Sequence, residues 1–262
     1  MARIRLTLEY DGTNYAGWQR QINAIAVQQV LEEALEGLTG EKIVVTGSSR
    51  TDAGVHSMGQ TVHFDTSSRI PPEKYSYALN TRLPADIRVR ESRAAADDFH
   101  ARFHTKGKTY RYQIYNHAHA SAILRNTHAH VMYPMDMEKM QAELDALVGT
   151  HDFGGFAASG SIVKDTVRTI YSAFVRREGE VVSIYVTGTG FLYNMVRIIA
   201  GTASDVACGR IEPGAIQRAI ETGNRLDLGM TAPACGLTLM HVYYDEDEIP
   251  DIYRGILNGG GE

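Results

Sequence analysis

Residues 3–9 alternate Ile4, Leu6 and Leu8 with polar neighbours, and a period of two predicts a strand with one buried face. A turn-rich stretch follows. Then Val27, Val30, Leu31, Ala34, Leu35 and Leu38 recur every three or four residues, the stripe of an amphipathic helix, with Gly40 placed to end it. Residues 42–46 and 60–65 read as strands flanking a polar, glycine-punctuated loop. A helix over 72–82 opens at Pro71 and Pro72, and a strand over 87–95 closes the first half. The second half repeats the order. It has a strand at 107–115, a helix at 136–148 with Asp136 as its N-cap, and strands near 167–176 and 181–187 joined by a hairpin at Glu178-Gly179. A helix over 191–207, a second helix starting at Pro213 and a strand over 237–244 complete it.

The duplicated β-α-β-β-α-β order predicts an α+β fold: two split β-α-β halves of the RRM or ferredoxin-like kind, with a mixed, mainly antiparallel sheet flanked by helices. The halves are expected at 1–105 and 106–244, and the acidic, glycine-rich stretch 245–262 is expected to be a flexible tail.

Composition narrows the class. The chain is 44% apolar and 22% charged, as in a globular protein. No apolar run reaches the length of a membrane span; the best, around Phe191 to Ala200, is broken by Arg197. Two cysteines without CxxC spacing, and no secretory pattern at the N-terminus, predict a reduced, cytoplasmic protein. The net charge of −5 is unusual for a nucleic-acid binder, but residues 245–262 carry all of the excess. Residues 82–111 hold eight Arg or Lys against four Asp or Glu, so a locally basic face is compatible with the whole.

The candidate chemistry is sparse. There is no P-loop, no GxSxG elbow and no complete dinucleotide fingerprint. Ten histidines, among them His117, His119, His128 and His130, lack HExxH spacing and regular carboxylate partners, so no metal site is expected. The loop Gly47-Ser-Ser-Arg-Thr-Asp-Ala-Gly-Val-His56 can present Asp52 beside Arg50 at a backbone-defined angle, although an ordinary Asx-type turn explains the same residues. On a strand, Lys108, Tyr110 and Tyr112 share one face, which suits a stacked base near phosphates or, equally, a half-buried sheet. Arg197 in an apolar helix asks for an acidic partner or a route to solvent.

Five segments, taken in order, resemble the TruA family of tRNA pseudouridine synthases. They are Tyr10-Asp-Gly-Thr-Asn-Tyr-Ala-Gly-Trp-Gln19; Ser49-Arg-Thr-Asp-Ala-Gly-Val-His56; Phe99-His-Ala-Arg-Phe103 with Lys108-Thr-Tyr-Arg-Tyr112; Phe191-Leu-Tyr-Asn-Met-Val-Arg197; and Ala232-Pro-Ala-Cys-Gly-Leu237. The resemblance runs from about residue 3 to 244. It implies that Asp52 is the essential aspartate, that Tyr110 stacks on the target base and that Arg197 pairs with the aspartate. It further implies a homodimer without cofactor or catalytic metal, acting on uridines 38, 39 and 40 of the tRNA anticodon stem-loop. Arg50, Arg20 and Lys108 are the expected phosphate contacts. An ionised carboxylate beside the sugar could attack C1′, attack C6 or take the C2′ proton, and the residues do not choose among these. A non-catalytic RNA-binding protein and a metal-dependent hydrolase built on the histidines are the competing readings.

Overall fold

The computed structural model describes residues 1–157 and 165–254. In chain order its main elements are β1 (Ala2–Tyr10), α1 (Val27–Thr39), β2 (Thr46–Gly47), β3 (His56–Thr66), α2 (Tyr75–Asn80), β4 (Ile87–Ala94), β5 (Gly107–Asn116), β6 (Ala129–Val131), α3 (Met137–Asp145) and β7 (Gly149–Asp152). They continue with β8 (Val167–Glu178), β9 (Val181–Gly188), α4 (Met195–Ala207), α5 (Ala215–Thr222), β10 (Leu237–Tyr243) and α6 (Asp251–Arg254). The chain forms two compact units, Met1–Lys106 with Thr238–Tyr244, and Gly107–Leu237 with Asp245–Glu262.

The first unit is a sheet in the order β4-β1-β3-β10, with β2 added on β3. Its pairings are antiparallel except β10 with β3, where Thr238 lies opposite His56 and Leu239 opposite Ser57. Ile4, Leu6, Leu8 and Tyr10 of β1 are buried, as the alternation requires, and pack with Val27, Leu31 and Leu35 of α1. Each such side chain removed from water contributes about 1.5–3 kcal/mol. Gly40, at φ 75°, ends α1 in the left-handed conformation that glycine reaches without strain.

The expected strand at 42–46 shrinks to Thr46–Gly47. Ile43 and Val45 still point inward, but side chains of α1 intercept the backbone groups a ladder would use. Val45 N–H donates to Glu32 Oε1 at 3.1 Å, and Gln28 Nε2 donates to Val45 O at 3.0 Å. The terminal strand, placed by sequence order with the second half, is grouped with the first unit, where it pairs in parallel with β3.

The second unit is a sheet in the order β5-β9-β8-β7, antiparallel throughout, with the short β6 parallel on β5. Asp136 caps α3 by accepting from the N–H groups of Glu138 and Lys139. The β8–β9 hairpin turns at Gly179, φ 61°. The helix expected from 191 starts only at Met195, because Asn194 sits at φ 62°, ψ 0°, which no α-helix accommodates. Phe191 therefore does not belong to a helix face with Met195 and Ile198. The expected flexible tail is also corrected over 245–254. Ile249 is 1% exposed, Tyr253 stacks on Phe174 (5.9 Å, 15°), and Ser172 Oγ donates to Tyr253 O at 3.0 Å. The remainder of that expectation, 255–262, lies outside the described residues.

Candidate active site

The loop carrying Asp52 runs from β2 to β3 in the first unit, and residues 10–18 hold it by its backbone. Trp18 N–H donates to Thr51 O at 3.0 Å, Gly54 N–H donates to Tyr15 O at 3.2 Å, and the Tyr10 hydroxyl pairs with Thr51 Oγ1 at 2.8 Å. Behind the loop, fully buried Gln60 donates to Ser49 O at 2.6 Å and accepts from Ser48 Oγ at 2.8 Å. Asp52 itself opens a four-residue turn. Val55 N–H donates to Asp52 O at 3.1 Å, and Gly54 takes the third position at φ 77°. The turn is thus an ordinary one in local geometry, but both sides of it are clamped, which fixes the backbone from which the half-buried Asp52 side chain projects.

Glycines allow this approach. A Cβ on Gly17 (φ 86°) would stand 2.5 Å from Thr51 O, and one on Gly47 would stand 2.5 Å from the Trp18 indole nitrogen. A Cβ on Gly12 would run into the carbonyl of Val55. The turn-rich stretch at 10–19, which the sequence pattern left without a role, is therefore the cradle of the Asp52 loop. Its start is fixed as well. Gly12 N–H donates to His56 Nδ1 at 3.0 Å, and Asp11 Oδ1 accepts from Thr13 N and Oγ1. Partial burial opposes ionisation of Asp11, but the Thr13 hydrogen bonds, with neighbouring His56 adding to them, outweigh it and hold the carboxyl below its ordinary range. Asp11 Oδ1 also lies 3.1 Å from His56 Nδ1.

Arg50 is exposed at the rim of the loop. Arg20 has a structural commitment: its Nη1 lies 3.0 Å from Glu32 Oε2, and that carboxylate is 8% exposed. Glu32 also takes Gln28 Nε2 and Val45 N–H, so Arg20 neutralises a buried acid that organises α1 and the β2 approach.

In the second unit, β5 does place Lys108, Tyr110 and Tyr112 on one face, but they differ in role. Tyr112 is 1% exposed and its hydroxyl donates to Pro233 O at 2.8 Å, which makes it core. Tyr110 is 7% exposed and meets Phe191 edge to face, with ring centroids 5.2 Å apart at 85°. Lys108 is half-buried.

Arg197 lies in the first turn of α4 and is held from two sides. Its Nε donates to Ala232 O at 2.8 Å and its Nη1 to Asn194 Oδ1 at 2.8 Å, while Ala232 N–H donates to Arg197 O at 3.1 Å. Asn194 is the positioning residue that sequence reasoning missed. It stands where an N-cap would stand, yet its side chain makes no cap hydrogen bond, and it is the one non-glycine with positive φ among the described residues. Asparagine tolerates that region better than most residues, and the signal was an Asn three positions before an arginine in an apolar stretch. The segment at 232–237 also acquires a role. Ala232 and Pro233 supply the carbonyls that fix Arg197 and Tyr112, and Gly236 leaves room for the Tyr112 ring, which a Cβ would meet at 2.7 Å.

The histidines of residues 117–130 form local contacts, such as His130 Nε2 with His117 O at 2.7 Å. No group of three or more His, Cys, Asp or Glu able to hold a metal occurs among the described residues. Nor, among those residues, is any helix long and apolar enough to cross a membrane.

The profile of a family described as tRNA pseudouridine synthase matches residues 7–104 and 144–245. A protein of Acetivibrio thermocellus named tRNA pseudouridine synthase A is 50% identical over 244 residues, covering 93% of this chain and 100% of the relative. Its namesakes in Ruminiclostridium cellulolyticum and Bacillus licheniformis are 51% and 47% identical, over 93% of this chain and 100% and 99% of the relatives. Among solved structures, a Cbf5-Nop10-Gar1 complex aligns at a TM-score of 0.39 and 12% identity, over 95% of this chain and 58% of that one, too distant a likeness to carry an argument.

Proposed function

The chain belongs to the tRNA pseudouridine synthase family and is an isomerase converting uridine to pseudouridine in tRNA, and from that premise we propose that Asp52 is its essential catalytic carboxylate. The observation that carries this reading is the clamp on the Asp52 loop: Trp18, Tyr15, Tyr10 and Gln60 tie residues 48–54 through backbone and side-chain hydrogen bonds, around a half-buried Asp52. A group held so firmly loses little entropy on reaching a reactive geometry.

The reaction breaks the N1–C1′ bond, turns the uracil and joins C5 to C1′. The C5 proton departs and N1 ends protonated, so atoms balance without an oxidant, a hydrolytic water or a redox cofactor. Asp52 is the nucleophile at C1′ or C6, or the base for the C2′ proton; each route needs it ionised. Arg197, already oriented by Asn194 and Ala232, is the proposed cation that keeps it so. Leaving the RNA stack costs the target base a few kcal/mol. Stacking on Tyr110 recovers about 1–3 kcal/mol of that. Arg50, Lys108 and the solvent-facing remainder of Arg20 are the proposed phosphate contacts. The proposed substrate positions are uridines 38, 39 and 40 of the anticodon stem-loop, and the working form is a cytoplasmic homodimer that needs no metal.

The test is tritium release from tRNA transcripts labelled at C5 of uridine, with EDTA present. Wild type is expected to release tritium, and Asp52→Ala and Asp52→Asn to release none while binding tRNA with unchanged affinity. Release by either variant, or binding lost in parallel with release, removes Asp52 from the chemistry. Transcripts with single labelled uridines in the anticodon stem-loop test the positions.

A further inference from the structure

Of the seven phenylalanines, all within the described residues, Phe103 alone is exposed, at 74%. Exposed tyrosines such as Tyr77 and Tyr193 keep a hydrated hydroxyl, but a phenylalanine offers water only an apolar ring. A ring so exposed on a mobile segment would carry little meaning. This one is on a turn pinned at three backbone atoms by three separate side chains. Arg3 Nη1 donates to Phe99 O at 3.0 Å, Ala101 N–H donates to His63 Nδ1 at 3.1 Å, and the Tyr244 hydroxyl donates to Ala101 O at 2.7 Å. The tip is tied as well, since the N–H groups of Arg102 and Phe103 both donate to His100 Nδ1 at 3.2 Å.

His100 then covers one face of Phe103, with centroids 4.2 Å apart and planes at 25°. Burial above all, with the neighbouring charges of Arg3 and Arg102 adding to it, holds the His100 pKa below its ordinary value. The Arg102 guanidinium stands 5.9 Å from the Phe103 centroid and has no carboxylate partner among the described residues. Beside the turn lies a cavity of about 260 Å³ lined by Arg5, Arg93, Phe99, His104 and Asp98 together with residues 94–96. A two-ring stack with a cation at its rim and arginines alongside fits a planar heterocycle joined to an anionic backbone.

We propose that the Phe99–His104 turn is a second RNA contact, at which an unstacked base of the tRNA substrate continues the His100–Phe103 stack while Arg102 meets its phosphate. This rests on tRNA being the substrate of the chain. It adds a binding role to a segment that the catalytic reading leaves idle.

Phe103→Trp tests it in the full chain. The one native tryptophan, Trp18, is 3% exposed, so added fluorescence reports on position 103. Titration with unmodified tRNA is expected to quench that emission. Phe103→Ala is expected to weaken tRNA binding and raise KM by about tenfold, equivalent to about 1.4 kcal/mol, with kcat at saturating tRNA and the urea midpoint unchanged. Phe103→Tyr should bind as wild type does. The proposal falls if Phe103→Ala binds tRNA normally. It also falls if tRNA leaves the Phe103→Trp emission unaltered, including the case where protein concentration alone changes it, which assigns the ring to a contact between copies of the chain. Failure of the catalytic reading has a different signature: no tritium release from wild type while the Phe103→Trp quench persists.

Discussion

Asn194 shows how one residue can carry information that no local rule contains. Its backbone is in a region costing most residues about 1–2 kcal/mol, and its side chain forgoes the helix cap that asparagine ordinarily makes. What it gains is the Arg197 Nη1 hydrogen bond. If that bond serves catalysis, relief of the strain should not help the enzyme. Asn194→Gly is expected to leave urea stability unchanged or raised while lowering kcat by about ten- to a hundredfold, the range for losing a hydrogen bond to a charged group. KM for tRNA should hardly move, and Asn194→Asp should restore much of kcat. Equal losses in stability and kcat, or no rescue by Asp, would make Asn194 a structural residue only. Arg197 is the control: Arg197→Met should abolish turnover outright.

Among the elements, the Asp52 loop gains its definition from another segment. Its internal sequence allows an ordinary turn, and the difference lies in the glycines of residues 12–17 that let two backbones approach. Gly17→Ala places a methyl 2.5 Å from Thr51 O at a φ of 86°. It is expected to cost at least about 2 kcal/mol in urea unfolding, from left-handed strain and displacement together. Tritium release should fall by more than the unfolded fraction explains, because the loop moves in the molecules that remain folded. Activity that tracks the folded fraction would show that the clamp supplies stability alone. The same intersegment logic shortened the strand at 42–46, where Glu32 and Gln28 of α1 took its hydrogen bonds.

For the whole molecule, the net charge of −5 conceals where the charge lies. The acidic residues near the C-terminus do not belong wholly to a loose end: Ile249 and Tyr253 anchor residues 245–254 on the second unit. On the proposed reading, RNA affinity depends on exposed cations such as Arg50 and not on the sum. Arg50→Gln is expected to weaken tRNA binding at low salt and to reduce the slope of log K against log salt by about one. A slope equal to that of wild type takes Arg50 off the phosphate path. Arg20→Gln is a poorer probe, since it also orphans buried Glu32 and should lower stability.

What could be read along the chain was the set of features encoded within a few residues of one another. The alternation in β1, the α1 stripe ending at Gly40, the Asp136 cap and the turn at Gly179 each express a local periodicity or a single backbone preference. The five ordered motifs likewise identified Asp52, Tyr110 and Arg197 as candidates by residue type and order. The tertiary structure decided what depends on partners far away in sequence: that β10 pairs with β3, that Tyr112 is core while Tyr110 faces Phe191, and that Arg20 answers to Glu32. It also decided that Asn194 and Ala232 aim Arg197. Hydrogen bonds and close packing act over about 3–4 Å in space with no regard for chain separation, so which groups meet is set only when the elements assemble.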